Sequence, residues 1–195
     1  MTERKFNPRH IDKLNDPKRK KTMKPDILWE LVNLENPGVL VDIGAGTGFF
    51  ACLFAEKMAS GTVYACDTAD ELIGWMRENL SPACRERVVP VKSEEARIPL
   101  SDGLADLAYM INLHHELERP QELLFEVSRL VKPGGRVLIV DWKPEETPEG
   151  PPLSIRVSPA TVAEQLEKAG FAAPDRADIL PWHYVLLTSR AAGQS

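Results

Sequence analysis

The sequence predicts an α/β fold: a doubly wound, mostly parallel seven-stranded sheet with an antiparallel last strand and helices on both faces. Three observations predict it. From residue 39 onward, apolar runs of strand length alternate with segments of helical periodicity. The runs are apolar nearly throughout, as in strands covered on both faces, where a one-sided sheet would alternate apolar with polar. Only Pro181 and Trp182 separate the final two runs, a link that permits a hairpin but no crossover helix, so the last strand runs against its neighbour.

The elements follow in order. PDILWELVNLENPG, with Pro25 in its first turn and Pro37-Gly38 at its end, predicts a helix whose apolar face is Ile27, Leu28, Leu31 and Leu34. The first strand is Val39 to Ile43, followed by a helix over 47–58. Thr62 to Cys66 is the second strand, and ADELIGWMRENL a helix that Ser81-Pro82 ends. Val88 to Val91 and Leu104 to Ile111 are strands three and four. Pro120 opens the helix QELLFEVSRLV, and Pro133-Gly134-Gly135 turns the chain into strand five, RVLIVDW. KPEETPEGPPL carries too much proline and glutamate for a regular element and predicts a surface loop. SPATVAEQLEKAGF is a helix with Ser158 as its N-cap, Pro159 at its first position and Gly170 at its end. RADIL and HYVLLTSR close the sheet. Residues 25–190 thus form a single domain.

Residues 1–24 form a basic N-terminal arm, with Arg4, Lys5, Arg9, Lys13, Lys18, Arg19, Lys20, Lys21 and Lys24 against Glu3, Asp12 and Asp16. Charge runs of this kind are ordinarily solvated. The alternative is a lid, with Phe6, Ile11 and Leu14 folding over a bound cofactor.

Composition excludes several function classes. The net charge of −5 argues against a general nucleic-acid binder, whose affinity rests on a basic surface. No apolar run reaches the roughly 18 residues needed to span a bilayer, and the N-terminus lacks an apolar core of the signal-peptide type, so a cytoplasmic protein without membrane insertion is expected. Cys52, Cys66 and Cys84 are odd in number, far apart and without a Cys-x-x-Cys pair, which predicts thiols in a reducing compartment, with Cys84 exposed.

VLVDIGAGTGFF carries the strongest chemical signal. Glycines 44, 46 and 48 stand where the first strand meets its helix, the place in an open parallel sheet where ligands bind. Their spacing is G-x-G-x-G, and Phe49 occupies the position of the third glycine in a dinucleotide fingerprint, which argues against NAD. YACD puts Asp67 at the end of strand two, where a carboxylate accepts both hydroxyls of a ribose. VKSEEARIPL puts Glu94 and Glu95 at the end of strand three, at the same rim. Three successive strand ends describe an adenosine pocket that requires no pyrophosphate.

These residues, in this order, resemble the class I S-adenosylmethionine-dependent methyltransferases. VDIGAGTGFF is similar to their first motif, VYACDTADELI to the second, IPLSDGLADLAYMINLHHEL to the segment around strand four and RLVKPGGRVLIVD to the strand-five signature. The resemblance runs from about residue 37 to 188 and is nearest to small, UbiE-like members of the type 11 group. It implies a Rossmann-like sheet and S-adenosylmethionine as cofactor. It also implies cofactor contacts from Asp42, Gly44, Ala45, Gly46, Thr47, Asp67, Thr68, Leu72, Ser93, Glu94, Glu95 and Asn112. Gly44 and Gly46 would line the methionine part, Asp42 would orient the loop or the amino group, Asp67 would hold the ribose and Asn112 would face the sulfonium. NLHHELE supplies candidate bases, of which His115 is expected to line the acceptor pocket. A metal site is not expected, since three adjacent residues do not ordinarily converge on one ion. The expected acceptor is a small molecule, recognised by the arm, the loop 143–157 and Trp142 or Trp182, and a homo-oligomer stays open. A sensor or partner subunit that binds the cofactor without transferring anything stays open as well.

Overall fold

The computed structural model describes residues 11–191. Phe6 and the start of the arm therefore lie outside the described residues. One seven-stranded sheet has the order β3-β2-β1-β4-β5-β7-β6, with β1 Val39–Ile43, β2 Thr62–Asp67, β3 Val88–Lys92, β4 Ala105–Ile111, β5 Val131–Trp142, β6 Asp175–Ala177 and β7 His183–Ser189. From β1 the chain moves outward to β2 and β3, then returns past β1 to β4 and β5. The order reverses between β1 and β4, and the carboxyl ends there splay into a crevice. β7 runs antiparallel to both its neighbours, β5 and β6, as expected, although the link from β6 spans residues 178–182 rather than two residues.

Alternate strand residues feed two cores. Leu40, Leu138 and Val140 pack with α3 (Pro25–Val32), α4 (Phe49–Lys57) and α5 (Asp70–Asn79). Val41, Val137 and Ile139 pack on the other side with α7 (Pro120–Leu130) and α8 (Pro159–Lys168). Asp106, at the start of β4, accepts the N–H groups of Gly38 and Val39 at 2.8 and 2.9 Å, which aligns the start of β1. Two short helices precede α3: α1 Ile11–Leu14 and α2 Lys18–Met23. The remaining α-helix among the described residues is α6, Pro82–Arg85, and two 3-10 turns span His114–Glu116 and Leu153–Ile155. Among the described residues no helix is long and apolar enough to cross a membrane.

The structure departs from the sequence reading at several points. In α3, Leu28 and Val32 are buried and Leu31 and Leu34 pack partly against the core, while Ile27 is 41% exposed; Asn33, at φ +46°, ends the helix before Leu34. α4 begins at Phe49 rather than residue 47, since Gly48 holds φ +74° at its N-cap. Strand five starts at Val131, and Lys132 to Gly135 bulge out of the ladder: Ala105 pairs with Val131 but Leu107 with Arg136. Of RADIL, only Arg176 and Ala177 are in a strand.

The cysteine reading is corrected outright. Cys52 on α4 and Cys84 on α6 form a disulfide, with Cα atoms 5.5 Å apart, and Cys84 is buried rather than exposed. Pairs on neighbouring helices are invisible to spacing rules, and cysteine spacing here gives no support for a reducing compartment. Only Cys66, inside β2, is a free thiol among the described residues.

Candidate cofactor and acceptor site

The glycine loop is tied to the end of β2. Gly44 and Ala45 both donate their N–H to the Cys66 carbonyl, at 2.9 and 3.0 Å. Gly44 and Gly46 sit at φ +71° and +60°, which suits glycine. A Cβ on Gly44 would meet Leu113 Cδ1 at 2.7 Å, and one on Gly46 would meet Leu14 Cδ1 at 3.1 Å. Glycine is therefore required here by the β4 exit on one side and by the N-terminal arm on the other.

Asp67 completes the loop. Its Oδ2 accepts the Gly46 N–H at 2.8 Å and its Oδ1 the Ala69 N–H at 2.9 Å, leaving each oxygen a further lone pair toward the cavity. Burial raises its pKa above the ordinary carboxylate value, and the N–H donors only partly oppose this. Asp42, at the C-terminal end of β1, is 3% exposed, and its Oδ2 has no hydrogen-bond partner. Burial pushes it up to about 8; the Tyr109 hydroxyl pulls it back, the Asp67 carboxylate adds to the rise and Arg19 opposes it. An orphaned buried acid at the floor of a cavity fits a cationic amino group.

Every residue of the expected cofactor set except Thr47 lines one cavity of about 1130 Å³, and so does His115. Thr47 instead donates to Asn15 Oδ1 at 2.8 Å, facing the arm. Glu95 braces the backbone where the chain enters α7: its Oε1 accepts the N–H groups of Glu118 and Arg119, at 2.9 and 2.7 Å. Asn112 holds φ +60° just past β4, with its N–H on the Val140 carbonyl at 2.8 Å and its Oδ1 buried without a partner.

In and beside the cavity lie groups that sequence reasoning missed. Asp141, at the end of β5, is 1% exposed and holds His115 twice, through Nδ1 at 2.7 Å and the backbone N–H at 3.0 Å. Burial would lower the His115 pKa, but the hydrogen bond and charge of Asp141 override it and hold it above the ordinary imidazole value. With Nδ1 committed to Asp141, Nε2 is the position left to exchange a proton. His114 is buried but does not line this cavity, as expected of adjacent residues leaving a strand. His183, opposite Trp142 on β7, has no partner on either ring nitrogen. Burial holds it near pKa 4, with Asp141 opposing and Arg156 and Arg19 adding to the drop, so it is neutral.

One side chain organises the loop 143–157. Arg156 donates to the carbonyls of Pro151, Lys143 and Glu145 at 2.9, 3.1 and 2.7 Å and to Thr147 Oγ1 at 2.8 Å, with its guanidinium 5.3 Å from the Trp142 ring. The proline-rich loop is thereby gathered around a single guanidinium, and Gly150, Pro151 and Pro152 face the cavity. Among the described residues no group of three or more His, Cys, Asp or Glu side chains is arranged to hold a metal ion.

Comparison with known proteins bears on the family and the fold. The methyltransferase domain model matches residues 41–139. A ubiquinone/menaquinone biosynthesis C-methyltransferase of Cupriavidus taiwanensis is 30% identical over 130 residues, covering 61% of this chain and 53% of that protein. A malonyl-[acyl-carrier protein] O-methyltransferase of Methylococcus capsulatus is 30% identical over 101 residues, 52% of this chain and 36% of its own length. The chain thus spans about half the length, or less, of these curated relatives. The crystal structure of a SAM-dependent methyltransferase from Aquifex aeolicus superposes with a TM-score of 0.89 at 31% identity, over 95% of this chain and 99% of that one. With the family model covering just over half of the chain and that structure nearly all of it, the chain belongs to the methyltransferase domain family, with S-adenosylmethionine as its cofactor.

Proposed function

We propose that the chain transfers a methyl group from S-adenosylmethionine to a small-molecule acceptor. One observation carries this reading: a single cavity of about 1130 Å³ is lined both by the glycine loop and Asp67 and by His115, which Asp141 holds. Single-ligand pockets run to roughly 1000 Å³, so the volume suits two ligands side by side. One relative is a C-methyltransferase of ubiquinone/menaquinone biosynthesis and another an O-methyltransferase of malonyl-[acyl-carrier protein], which supports an organic acceptor group rather than a nucleic acid.

In this reading Asp67 holds the ribose hydroxyls and Leu72 packs on the adenine. Ser93, Glu94 and Glu95 edge that ring, with Thr68 beside the ribose. Gly44, Ala45 and Gly46 line the methionine part. Asp42 takes the amino group, Asn112 faces the reacting centre and Thr47 holds the arm. When bound, the cofactor supplies a methyl group already activated by its sulfonium. The protein then has to align the acceptor, exclude water and accept a proton where the acceptor carries one. His115 Nε2 is the base, oriented by Asp141. Residues 11–24 act as a lid that seals the cavity through Leu14 and Asn15.

Calorimetric titration with S-adenosylmethionine, S-adenosylhomocysteine and NAD, for the wild type and Asp67→Ala, tests the cofactor half. Binding of the first two in the micromolar range, lost in the variant and absent for NAD, is expected. Binding of NAD, or of none of the three, overturns the reading. Methylation of any acceptor in a screen excludes a passive sensor.

A further inference from the structure

The antiparallel β7 brings to the cavity a residue that no parallel strand supplies. β1, β2, β4 and β5 line the cavity with their last residues, but β7 runs the other way and reaches it with its first, His183. His183 pairs in register with Trp142, the last residue of β5, and the two ring centres lie 4.1 Å apart. A Cβ on Gly150 would come within 2.8 Å of Trp142 Cε3, so the loop 143–157 lies directly on the indole and holds it in place. His115, Asp141, Trp142 and His183 thus form one continuous wall, joined by a hydrogen bond, a peptide bond and a ring contact.

Methyl transfer uses His115 from this wall and leaves His183 unexplained. His183 is 1% exposed, yet neither ring nitrogen has a hydrogen-bond partner. A buried polar group without a partner is destabilising and rare, and its place on a cavity wall marks it as a ligand contact. Uncharged, the ring offers one N–H donor and one nitrogen acceptor. Its surroundings are apolar and aromatic: Trp182 precedes it, and Pro151, Pro152 and Ile155 of the loop line the same cavity. The reacting group is constrained as well. An amine attacks with its own lone pair, whereas a hydroxyl has a proton to lose, so a histidine held as a base by Asp141 favours a hydroxyl.

We propose, resting on the methyl-transfer reading above, that His183 is a specificity-determining residue and that the acceptor is a phenol carrying a second oxygen. One hydroxyl faces His115 Nε2, the second hydroxyl or carbonyl exchanges a hydrogen bond with His183, and the ring lodges beside Trp142 and Trp182. The first hydroxyl gives its proton to His115 Nε2, and its oxygen bonds to the methyl carbon as the carbon–sulfur bond breaks with the electron pair left on sulfur. His183 takes no part in that exchange and sets only which ring is held.

The test measures binding by calorimetry on the full chain saturated with S-adenosylhomocysteine. Catechol, resorcinol and hydroquinone are compared with phenol, which lacks the second hydroxyl, and with cyclohexane-1,2-diol, which lacks the aromatic ring. In the wild type at least one benzenediol is expected to bind about 10-fold tighter than either control, the scale of a hydrogen bond to a buried group otherwise left unpaired. His183→Phe keeps a ring against Trp142 and removes both nitrogens. It is expected to reduce the preference over phenol to less than about 3-fold without lowering Tm, and His183→Gln to restore part of it. Supplied with S-adenosylmethionine, the wild type is expected to convert the preferred diol to its monomethyl ether; binding without transfer overturns the placing of a hydroxyl at His115. Equal weakening of every probe by His183→Phe means that the histidine only packs against Trp142, and overturns the proposal. A wild type that prefers no benzenediol, or binds no probe, overturns it too, while methyl transfer stands as long as S-adenosylhomocysteine binds. A wild type that fails to bind S-adenosylhomocysteine overturns both.

Discussion

At the scale of single residues, the site sets chemistry against stability. Asp42 keeps a proton in the folded protein up to about pH 8, whereas it loses it near 3.8 when unfolded. Between those values the unfolded chain binds fewer protons, so stability is full below pH 4 and falls as pH rises toward 8. Asp42→Asn is expected to flatten that dependence and raise Tm at pH 8 while weakening cofactor binding, read by calorimetry and thermal scans on one sample. Gly44→Ala places a methyl 2.7 Å from Leu113 at a positive φ. A loss of about 1–3 kcal/mol and of cofactor affinity is expected, from denaturant unfolding and titration. For His115, the raised pKa predicts that kcat/KM climbs with pH through a midpoint above 6.5 and that Asp141→Asn moves the midpoint down; an unmoved midpoint counts against the pair. The meeting of Asp67 with the glycine loop was legible because consecutive strand ends in a parallel sheet lie side by side. Asp141 was not, since its bond to His115 spans 26 positions.

At the scale of elements, strands and helices were legible from apolar periodicity, and the antiparallel β7 from the length of one link. What failed depended on neighbours in space. The β5 bulge and the Cys52–Cys84 pair both arise where two elements pack, and no window along the chain contains both. The disulfide closes a separation of 32 residues, enclosing β2 and α5, a loop whose cross-link is worth about 3–4 kcal/mol in the chain-entropy account. Reduction is expected to lower Tm by roughly 7–15 °C for a domain of this size, and Cys52→Ser to abolish the difference between oxidised and reduced samples. The 143–157 loop depends on Arg156, so Arg156→Ala should raise the acceptor KM and speed proteolysis within the loop, with little effect on cofactor affinity.

At the scale of the whole molecule, the strand ends and the arm both line the cavity. The charges are divided accordingly: Lys13, Lys18, Arg19 and Lys21 line it from the arm, while Asp42, Asp67, Glu94 and Glu95 line it from the strand ends. Deleting residues 1–20 is expected to weaken cofactor binding and slow turnover; an unchanged protein would reduce the arm to a solvated tail. The arm's root is also tied down, with Lys24 donating to the Ile179 carbonyl at 3.0 Å.

The position of β7 bears on how the protein is made. It pairs along β5 from Arg136 to Trp142, yet 40 residues of loop, helix and β6 separate the two strands in the chain. During synthesis, the apolar edge of β5 must wait uncovered until residues 183–189 have left the ribosome. An unpaired strand edge of that length is a template for other chains. Ribosome stalling or premature termination between residues 142 and 183 would therefore release fragments prone to aggregate, with one seam of the sheet left open.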